Sequence, residues 1–147
     1  MNIRLAEIDD IDTLVNFNQQ MAMETEKMHL NNDLLTKGVS RLVEDPNKGF
    51  YLVAEQDDQV RGSLMVTTEW SDWRNGVFWW IQSVYVAPDY RRQGIYAKLY
   101  AKVKTLAGEA ENVCGFRLYV EKENIIAQQT YTTLGMSESH YLMFEES

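Results

Sequence analysis

The chain has little cysteine, little positive charge and no long hydrophobic run. Its single cysteine, Cys114, cannot support a disulfide framework, and this fits a reducing cytoplasm. No apolar run approaches the roughly 20 residues that a membrane span needs. The N-terminus, MNIRLAEIDD, has no apolar signal core. We therefore expect a cytoplasmic protein that is not exported and has no membrane partner.

Acidic residues outnumber basic residues by 22 to 14, which gives a formal net charge of −8. General nucleic-acid binding depends on neutralising phosphates, so this balance argues against a nucleic-acid partner. The two histidines and the one cysteine are widely separated, and we expect no metal site. Because there is no internal repeat or linker rich in Pro, Gly or Ser, we expect a single domain, residues 1–147.

Hydrophobic periodicity and turn residues predict the order β-α-α-β-β-β-α-β-α-β. This order indicates a mixed sheet with helices on its faces, which is an α/β or α+β fold. In chain order, the expected elements are strand 2–6, a helix beginning after Asp9 or Asp10, helix 33–44, strands 50–56, 59–70 and 77–87, helix 92–110, strand 115–121, helix 124–134 and strand 140–145.

The stretch VYVAPDYRRQGIYAKL concentrates positive charge where a strand turns into a helix. Five basic residues and no acidic residue lie between Arg91 and Lys104. A helix N-terminus presents unpaired backbone N–H groups and positive potential, and an anion such as phosphate fits there. Gly94 lets the backbone come close to a ligand. The stretch predicts a cradle for an anionic cofactor, and a capped surface helix is the alternative.

Two motifs resemble those of the GNAT superfamily of N-acetyltransferases. The segment RRQGIY resembles the family's pyrophosphate loop, Q/R-x-x-G-x-G/A, with Arg91 and Gly94 in place and Tyr96 where the last small residue would stand. The segment NIIAQQTYTTLGM resembles N-x-x-A-x-x-x-Y-x-x-x-G-F/M, with the matching residues Asn124, Ala127, Tyr131, Gly135 and Met136. The element order also matches the family along nearly the whole chain.

The resemblance implies a mostly antiparallel central sheet that splays after its fourth strand, with acetyl-CoA as cosubstrate. Backbone groups of Val84 and Val86 would bind the pantetheine arm, and Asn124 would contact the same arm. Arg91 would reach the diphosphate. The pyrophosphate would be held by backbone N–H groups of the turn and first helical residues, which are Arg92, Gln93, Gly94, Ile95, Tyr96 and Ala97. Since these contacts come from the backbone, Tyr96 need not abolish them.

The implied reaction moves an acetyl group directly from the thioester to an amine. Tyr131 would lie near the sulfur and protonate the departing thiolate, which a hydroxyl with a reference pKa near 10 suits. A backbone N–H near Ser83 or Val84 would stabilise the oxyanion that develops on the carbonyl.

The general base is harder to place, because the segment FWWIQSVYV lacks the glutamate that many relatives carry on the fourth strand. Glu69, at the end of the preceding strand, is the first candidate and would act directly or through water. Glu24 and Asp72 are alternatives, while Gln82 or Ser83 would only position a water.

Four tryptophans lie in the stretch EWSDWRNGVFWW: Trp70, Trp73, Trp79 and Trp80. They would form an aromatic wall for a cationic acceptor, and core or dimer packing is the alternative. Strand alternation places Trp79 and Trp80 on opposite faces, so at most one of them lines such a wall.

Taken together, these features predict an acetyl-CoA-dependent N-acetyltransferase that acts on the primary amine of a small molecule as a homodimer. Two alternatives are a non-catalytic acyl-CoA-binding module, suggested by Tyr96 and the missing glutamate, and a protein or peptide N-acetyltransferase.

Overall fold

A computed structural model describes residues 1–147, the whole chain. Its helices and strands are β1 (Asn2–Leu5), α1 (Ile11–Glu26), α2 (Asn32–Glu44), β2 (Phe50–Gln56), β3 (Gln59–Ser71), β4 (Gly76–Val86), α3 (Ile95–Glu109), β5 (Val113–Arg117) and α4 (Ile125–Thr133). Short 3-10 turns occupy Ile8–Asp10 and Pro88–Tyr90. None of the helices combines the length and the apolar character that crossing a membrane requires.

The five strands form one sheet in the order β1-β2-β3-β4-β5. Each of the first three strands pairs antiparallel with the next, and β4 pairs parallel with β5. The sheet is thus mixed and mostly antiparallel, and the expected α/β class is confirmed.

Alternate side chains of the strands pack into two separate hydrophobic cores, one on each face of the sheet. Leu52 and Ala54 of β2 face the core beneath α3, together with Leu99. Tyr51 and Val53, their neighbours in β2, face the core beneath α1 and α2. Because both faces of β2 are covered, its segment FYLVAEQ reads as a nearly continuous apolar run.

Two hairpins connect β2, β3 and β4. Asp57 and Asp58 both adopt positive φ, 55° and 61°, which suits a two-residue turn that follows the twist of the strands. The second hairpin is longer than expected, since β3 continues to Ser71 opposite Gly76. Asn75, with φ of 48°, adopts the left-handed conformation that the turn between β3 and β4 requires.

The helix α3 begins at Ile95 rather than at the expected Arg92. Arg92 and Gly94 have φ of 65° and 78°, in the left-handed region, so neither continues a right-handed helix. Gly62 of β3 lies directly beneath this helix start. A Cβ on Gly62 would lie 3.0 Å from the Ile95 side chain, so glycine at this position allows the helix start to pack closely on β3.

The expected strand at 140–145 is wrong for the single chain, because no strand follows α4. The strand β5 is also shorter than expected and ends at Arg117. A strand needs a neighbour with which to share ladder hydrogen bonds, and residues 140–145 have none within the chain. The composition of residues 140–145 favours a strand, but it does not show that a neighbouring strand is missing.

Gly49 offers a test of how tightly the sheet is packed against its turns. A Cβ there would lie 2.1 Å from the Val66 carbonyl oxygen, and φ is +142°. We expect Gly49→Ala to lower the free energy of unfolding by roughly 1–3 kcal/mol in urea titrations. Gly38→Ala, in an exposed part of α2 with nothing within 4 Å, is the control and should be neutral or stabilising. Equal effects of the two substitutions would contradict this.

Candidate active site

A gap between β4 and β5 forms the centre of the site. The parallel ladder joins Val77–Trp80 of β4 to residues 113–117 and ends at the pair Trp80 and Arg117. The strand β4 continues for six more residues, to Val86, without a partner on that side. The splaying that the family resemblance implied is therefore present, and Val84 and Val86 lie on the free part of β4.

A β-bulge distorts β4 within this free part. Met65 pairs with Gln82 and Ser63 pairs with Tyr85, so Leu64 alone faces both Ser83 and Val84. Ser83 adopts φ of 52°, an uncommon value for a residue other than glycine. Bulges leave one residue out of the ladder and are frequent beside active sites. The bulge therefore sets the backbone of Ser83 and Val84 apart from the regular ladder.

The turn after β4 presents a series of free backbone donors. None of the six N–H groups from Arg92 to Ala97 donates a hydrogen bond within the chain, and the first helical bond runs from Lys98 to the Gly94 carbonyl. The space beside Gly94 is open, since a Cβ there would meet nothing within 4 Å. Six consecutive unpaired donors at a helix N-terminus suit a diphosphate.

Arg91 is already engaged by the protein. Its Nη2 lies 2.8 Å from Glu24 Oε2, and its Nε donates to the Val86 carbonyl at 2.8 Å. The Tyr85 hydroxyl also contacts Glu24, at 3.4 Å. Arg91 thus ties the end of α1 to the turn, and its contact with a diphosphate stays a prediction. Arg92 makes no side-chain hydrogen bond or ion pair.

The helix α4 carries Asn124 and Tyr131. Asn124 is the N-cap, and its Oδ1 accepts a hydrogen bond from the Ala127 N–H at 3.1 Å. This leaves its Nδ2 without a partner in the protein. Gly135, with φ of 104°, closes the helix as expected, and the Met136 N–H donates to the Tyr131 carbonyl.

Tyr96 packs between two other tyrosines. Its ring stacks on Tyr100 at 6.0 Å between centroids and meets Tyr131 edge-on at 5.4 Å. Burial raises the pKa of Tyr131, so its hydroxyl stays protonated at neutral pH. The Tyr96 hydroxyl is buried without a hydrogen-bond partner, and its pKa is raised further, again chiefly by burial. The large side chain at position 96 therefore packs against Tyr100 and Tyr131.

Glu69 lies at the end of β3 and is held by two donors. Its Oε1 accepts from Trp80 Nε1 at 2.8 Å and from Arg117 Nη1 at 2.9 Å. These contacts, the Trp80 hydrogen bond above all, lower the pKa of the carboxyl group. Glu69 is therefore an anion at neutral pH, and its Oε2 makes no hydrogen bond in the protein.

The four tryptophans lie in different environments, and Trp79 and Trp80 lie on opposite faces of the sheet, as strand alternation predicted. Trp79 packs against Phe50 at 5.3 Å between ring centroids, in the core beneath α3. Trp80 lies on the other face and donates to Glu69. Trp73 at the hairpin tip is 93% exposed and Trp70 is 58% exposed, so both are accessible to an acceptor.

Comparison with known proteins agrees with this geometry. The sequence pattern of the acetyltransferase (GNAT) family matches residues 9–136, which is most of the chain. The protein belongs to the acetyltransferase (GNAT) family. No curated protein matches the chain. Membership of the GNAT family implies acyltransferase chemistry, and acetyl-CoA is the donor that the family uses.

Solved structures give the same assignment. A possible acetyltransferase from Clostridium difficile 630 is 51% identical, with a TM-score of 0.92 over 99% of this chain and 96% of that one. A predicted acetyltransferase from Clostridium acetobutylicum, solved with acetyl-CoA, is 20% identical, with a TM-score of 0.79 over 98% and 95%. The enzyme AAC(6')-Iy, in complex with a bisubstrate analogue, is 16% identical, with a TM-score of 0.80 over 99% and 97%. The last two share the fold.

Sequence reasoning missed two supports of this GNAT site. The sequence pattern indicates Arg117 only as part of a strand, whereas in the structure it donates to Glu69 and its Cζ lies 3.7 Å from the Phe78 ring centroid. A charged residue inside the apolar segment GFRLYVE was the available signal. The link between Glu24 and Arg91 spans 67 positions, and no local pattern indicates it.

The role of the turn can be tested through Arg92. We expect Arg92→Gln to weaken CoA binding roughly tenfold in calorimetry, because one charge-assisted hydrogen bond contributes about 1.5 kcal/mol. Lys37→Gln removes the same charge from an exposed position on α2 and should leave the affinity unchanged. Equal weakening by both substitutions would show that only net charge matters.

The lowered pKa of the Glu69 carboxyl group can be tested by replacing Trp80. Since the Trp80 hydrogen bond is the main cause of the lowered pKa, Trp80→Phe should raise that pKa towards the ordinary value of a glutamate. The carboxyl group would then take up its proton at a higher pH than in the unaltered protein. Carbon-detected NMR of the labelled carboxyl group measures this. An unchanged titration of Glu69 would contradict the assignment.

Proposed function

We propose that this GNAT protein transfers the acetyl group of acetyl-CoA directly to a primary amine of a small molecule, in the cytoplasm and as a homodimer. The observation that carries the proposal is the row of six unpaired N–H groups, from Arg92 to Ala97, at the end of a strand that has parted from its neighbour. This arrangement offers a diphosphate its donors and an extended amide chain a free strand edge.

The residues of the chain fit acetyl-CoA. Val84 and Val86 lie where β4 has no partner on its β5 side, so their backbone groups would bind the pantetheine arm of the cosubstrate. The Nδ2 of Asn124 is free to contact the same arm. Arg92 is exposed and unpaired beside the open space at Gly94. Acetyl-CoA supplies an acetyl thioester. The protein would position this thioester and carry out the proton transfers to and from the reacting groups.

The acceptor must lose a proton before it attacks. An alkyl ammonium with a pKa of about 10.4 is neutral in only about one molecule in 2,500 at pH 7, a handicap of roughly 4–5 kcal/mol. Glu69 presents an ionised carboxylate, and its free Oε2 would bind the ammonium and take its proton, directly or through water. Because its pKa is lowered, Glu69 is a weak base, and orienting the amine is the larger part of its role.

Two further groups complete the proposed chemistry. The backbone N–H of Ser83 or Val84, at the bulge, is set apart from the regular ladder and would donate to the carbonyl oxygen as negative charge develops. Tyr131 remains protonated because burial raises its pKa, so it would give its proton to the departing sulfur.

A small cationic amine suits the residues beyond Glu69. Trp70 and Trp73 are exposed next to this carboxylate in sequence, and Trp80 contacts it directly. Aromatic faces and carboxylates both attract ammonium groups. Two structural neighbours, AAC(6')-Iy and an aminoglycoside 6'-N-acetyltransferase from Acinetobacter haemolyticus, are named for small-molecule acceptors. At 16% and 17% identity they serve as precedents within the fold.

The activity can be tested by acceptor screening with Tyr131→Phe alongside. Polyamines, amino acids, aminoglycosides and peptides would be tested for thiol release from acetyl-CoA. We expect release with one class of small amine and a kcat 10²–10³-fold lower in Tyr131→Phe, because general acid catalysis contributes on this scale. The Kd for CoA should stay within about twofold of the original value.

Tyr100→Phe is the matched control, because it removes a hydroxyl from the same tyrosine group without touching α4. It should keep nearly the full rate. Release with peptides alone would favour a protein or peptide N-acetyltransferase. CoA binding without release from any acceptor would favour the non-catalytic acyl-CoA-binding module. A full rate in Tyr131→Phe at every pH would overturn the acid assignment.

A further inference from the structure

Arg117 is held beside Glu69 with most of its hydrogen-bonding capacity unused. Its Nη1 donates to Glu69 Oε1 at 2.9 Å, while its Nε and Nη2 donate to no group of the protein. A guanidinium group carries its N–H donors in a planar fork, so one side of this fork is free. The Arg117 side chain is 32% exposed and that of Glu69 is 43% exposed, so a ligand can reach both.

Phe78 of β4 fixes the position of this guanidinium group. Arg117 Cζ lies 3.7 Å from the centroid of the Phe78 ring, which is a close cation–π contact. The ring is buried and packs over Gly115 of β5, where a Cβ would come within 2.7 Å of Phe78 Cε1. Glycine at position 115 therefore makes room for the ring on which Arg117 rests. A side chain held in this way loses little further freedom when it binds a ligand.

The pair of Arg117 and Glu69 lies at the opening of the site. Arg117 occupies the last position of the ladder, opposite Trp80, where β4 and β5 part. Ion pairs as exposed as this one contribute little to stability, because water screens them and both side chains lose freedom. This place in the fold suits a role in binding better than a role in stability.

A second guanidinium group lies near the same ring. Arg74 is exposed, and its Cζ lies 5.2 Å from the Phe78 centroid. Positive charge therefore lies beside the Glu69 carboxylate. An acceptor with ammonium groups alone would be attracted by Glu69 and repelled by the two arginines. An acceptor that carries an anion as well would be attracted by all three groups.

We propose that Arg117 selects an acceptor that carries a carboxylate in addition to its primary amine, as an amino acid does. The inference rests on the proposed function. The carboxylate would accept hydrogen bonds from Nε and Nη2 of Arg117, the paired geometry that a guanidinium fork offers. The ammonium would bind Oε2 of Glu69. A phosphate would fit less well, because its second negative charge would be repelled by the Glu69 carboxylate.

The strand geometry indicates how such an acceptor would lie. The proposed oxyanion donor is at Ser83 or Val84, and Val84 lies four residues beyond Trp80, roughly 13 Å at about 3.3 Å per residue. The carboxylate would bind at the Arg117 end of this interval and the amine would point towards the bulge. The long side chain of Arg117 covers part of the distance, so the acceptor itself can be small.

Matched acids and amides test this selection. Amino acids with different side chains would each be compared with their own amides, which keep the amine and replace the carboxylate by a neutral group. We expect kcat/KM for the preferred acid to exceed that for its amide roughly 10- to 100-fold, mainly through KM, because charge-assisted hydrogen bonds contribute on this scale. A better rate with the amides, with polyamines or with O-phosphoethanolamine would overturn the proposal.

Arg117→Gln separates recognition of the carboxylate from support of Glu69. The substitution should raise the KM for the acid roughly 10- to 100-fold and leave the KM for the amide within about threefold. Arg117→Lys keeps the charge without the fork and should restore the preference only in part. Arg41→Gln removes the same charge from an exposed position on α2 and should keep the full preference. If Arg117 only holds Glu69, both KM values will rise together, and the proposal fails.

Binding without turnover distinguishes failure of this inference from failure of the proposed function. With CoA in place of acetyl-CoA no acetyl group can move, and calorimetry gives the Kd of acid and amide. Tighter binding of the acid that is lost in Arg117→Gln would support the selection even if no amine were acetylated, a result that would refute only the proposed function. Acetylation with equal affinity for acid and amide, or no binding of any acid, would overturn the role of Arg117.

Discussion

Four residue pairs join β4 to β5, and the ladder ends where Trp80 meets Arg117. Beyond that point the two strands part, and the bulge at Ser83 and Val84 interrupts the ladder between β4 and β3. Backbone N–H and C=O groups are obligatory hydrogen-bonding partners, so a strand edge left open inside a fold needs a ligand or water. On the proposed function, the position of this one ladder end would determine where the extended arm of acetyl-CoA binds and why Glu69 would face the acceptor.

Backbone donors explain how an acidic protein can offer a site for a diphosphate. On the proposed function, the six free N–H groups from Arg92 to Ala97 would bind the diphosphate, and their ability to donate does not depend on the net charge of −8. Arg91, the arginine that matches the family motif, is used instead to fasten Glu24 and the end of α1. Because the donors are main-chain groups, position 96 can hold a tyrosine whose ring packs on Tyr131.

Local patterns predicted most of the fold and part of the site. Periodicity indicated the helices, and Gly94 with the adjoining arginines indicated the turn, because both features are properties of short segments. The contacts of Glu69 could not be predicted from a local pattern, because Trp80 and Arg117 lie 11 and 48 positions away in the sequence. Similarly, the start of α3 depends on the positive φ of Arg92, a residue type that gives no signal for it.

The segment 140–145 shows why a strand cannot be predicted from its own residues alone. Helical hydrogen bonds close within a segment, whereas every hydrogen bond of a strand belongs equally to its neighbour. The segment HYLMFE has the composition of a strand covered on both faces, yet the single chain leaves Leu142 and Phe144 in solvent. No neighbouring edge within the chain pairs with this segment, so the strand-like pattern of its residues could not by itself determine its conformation.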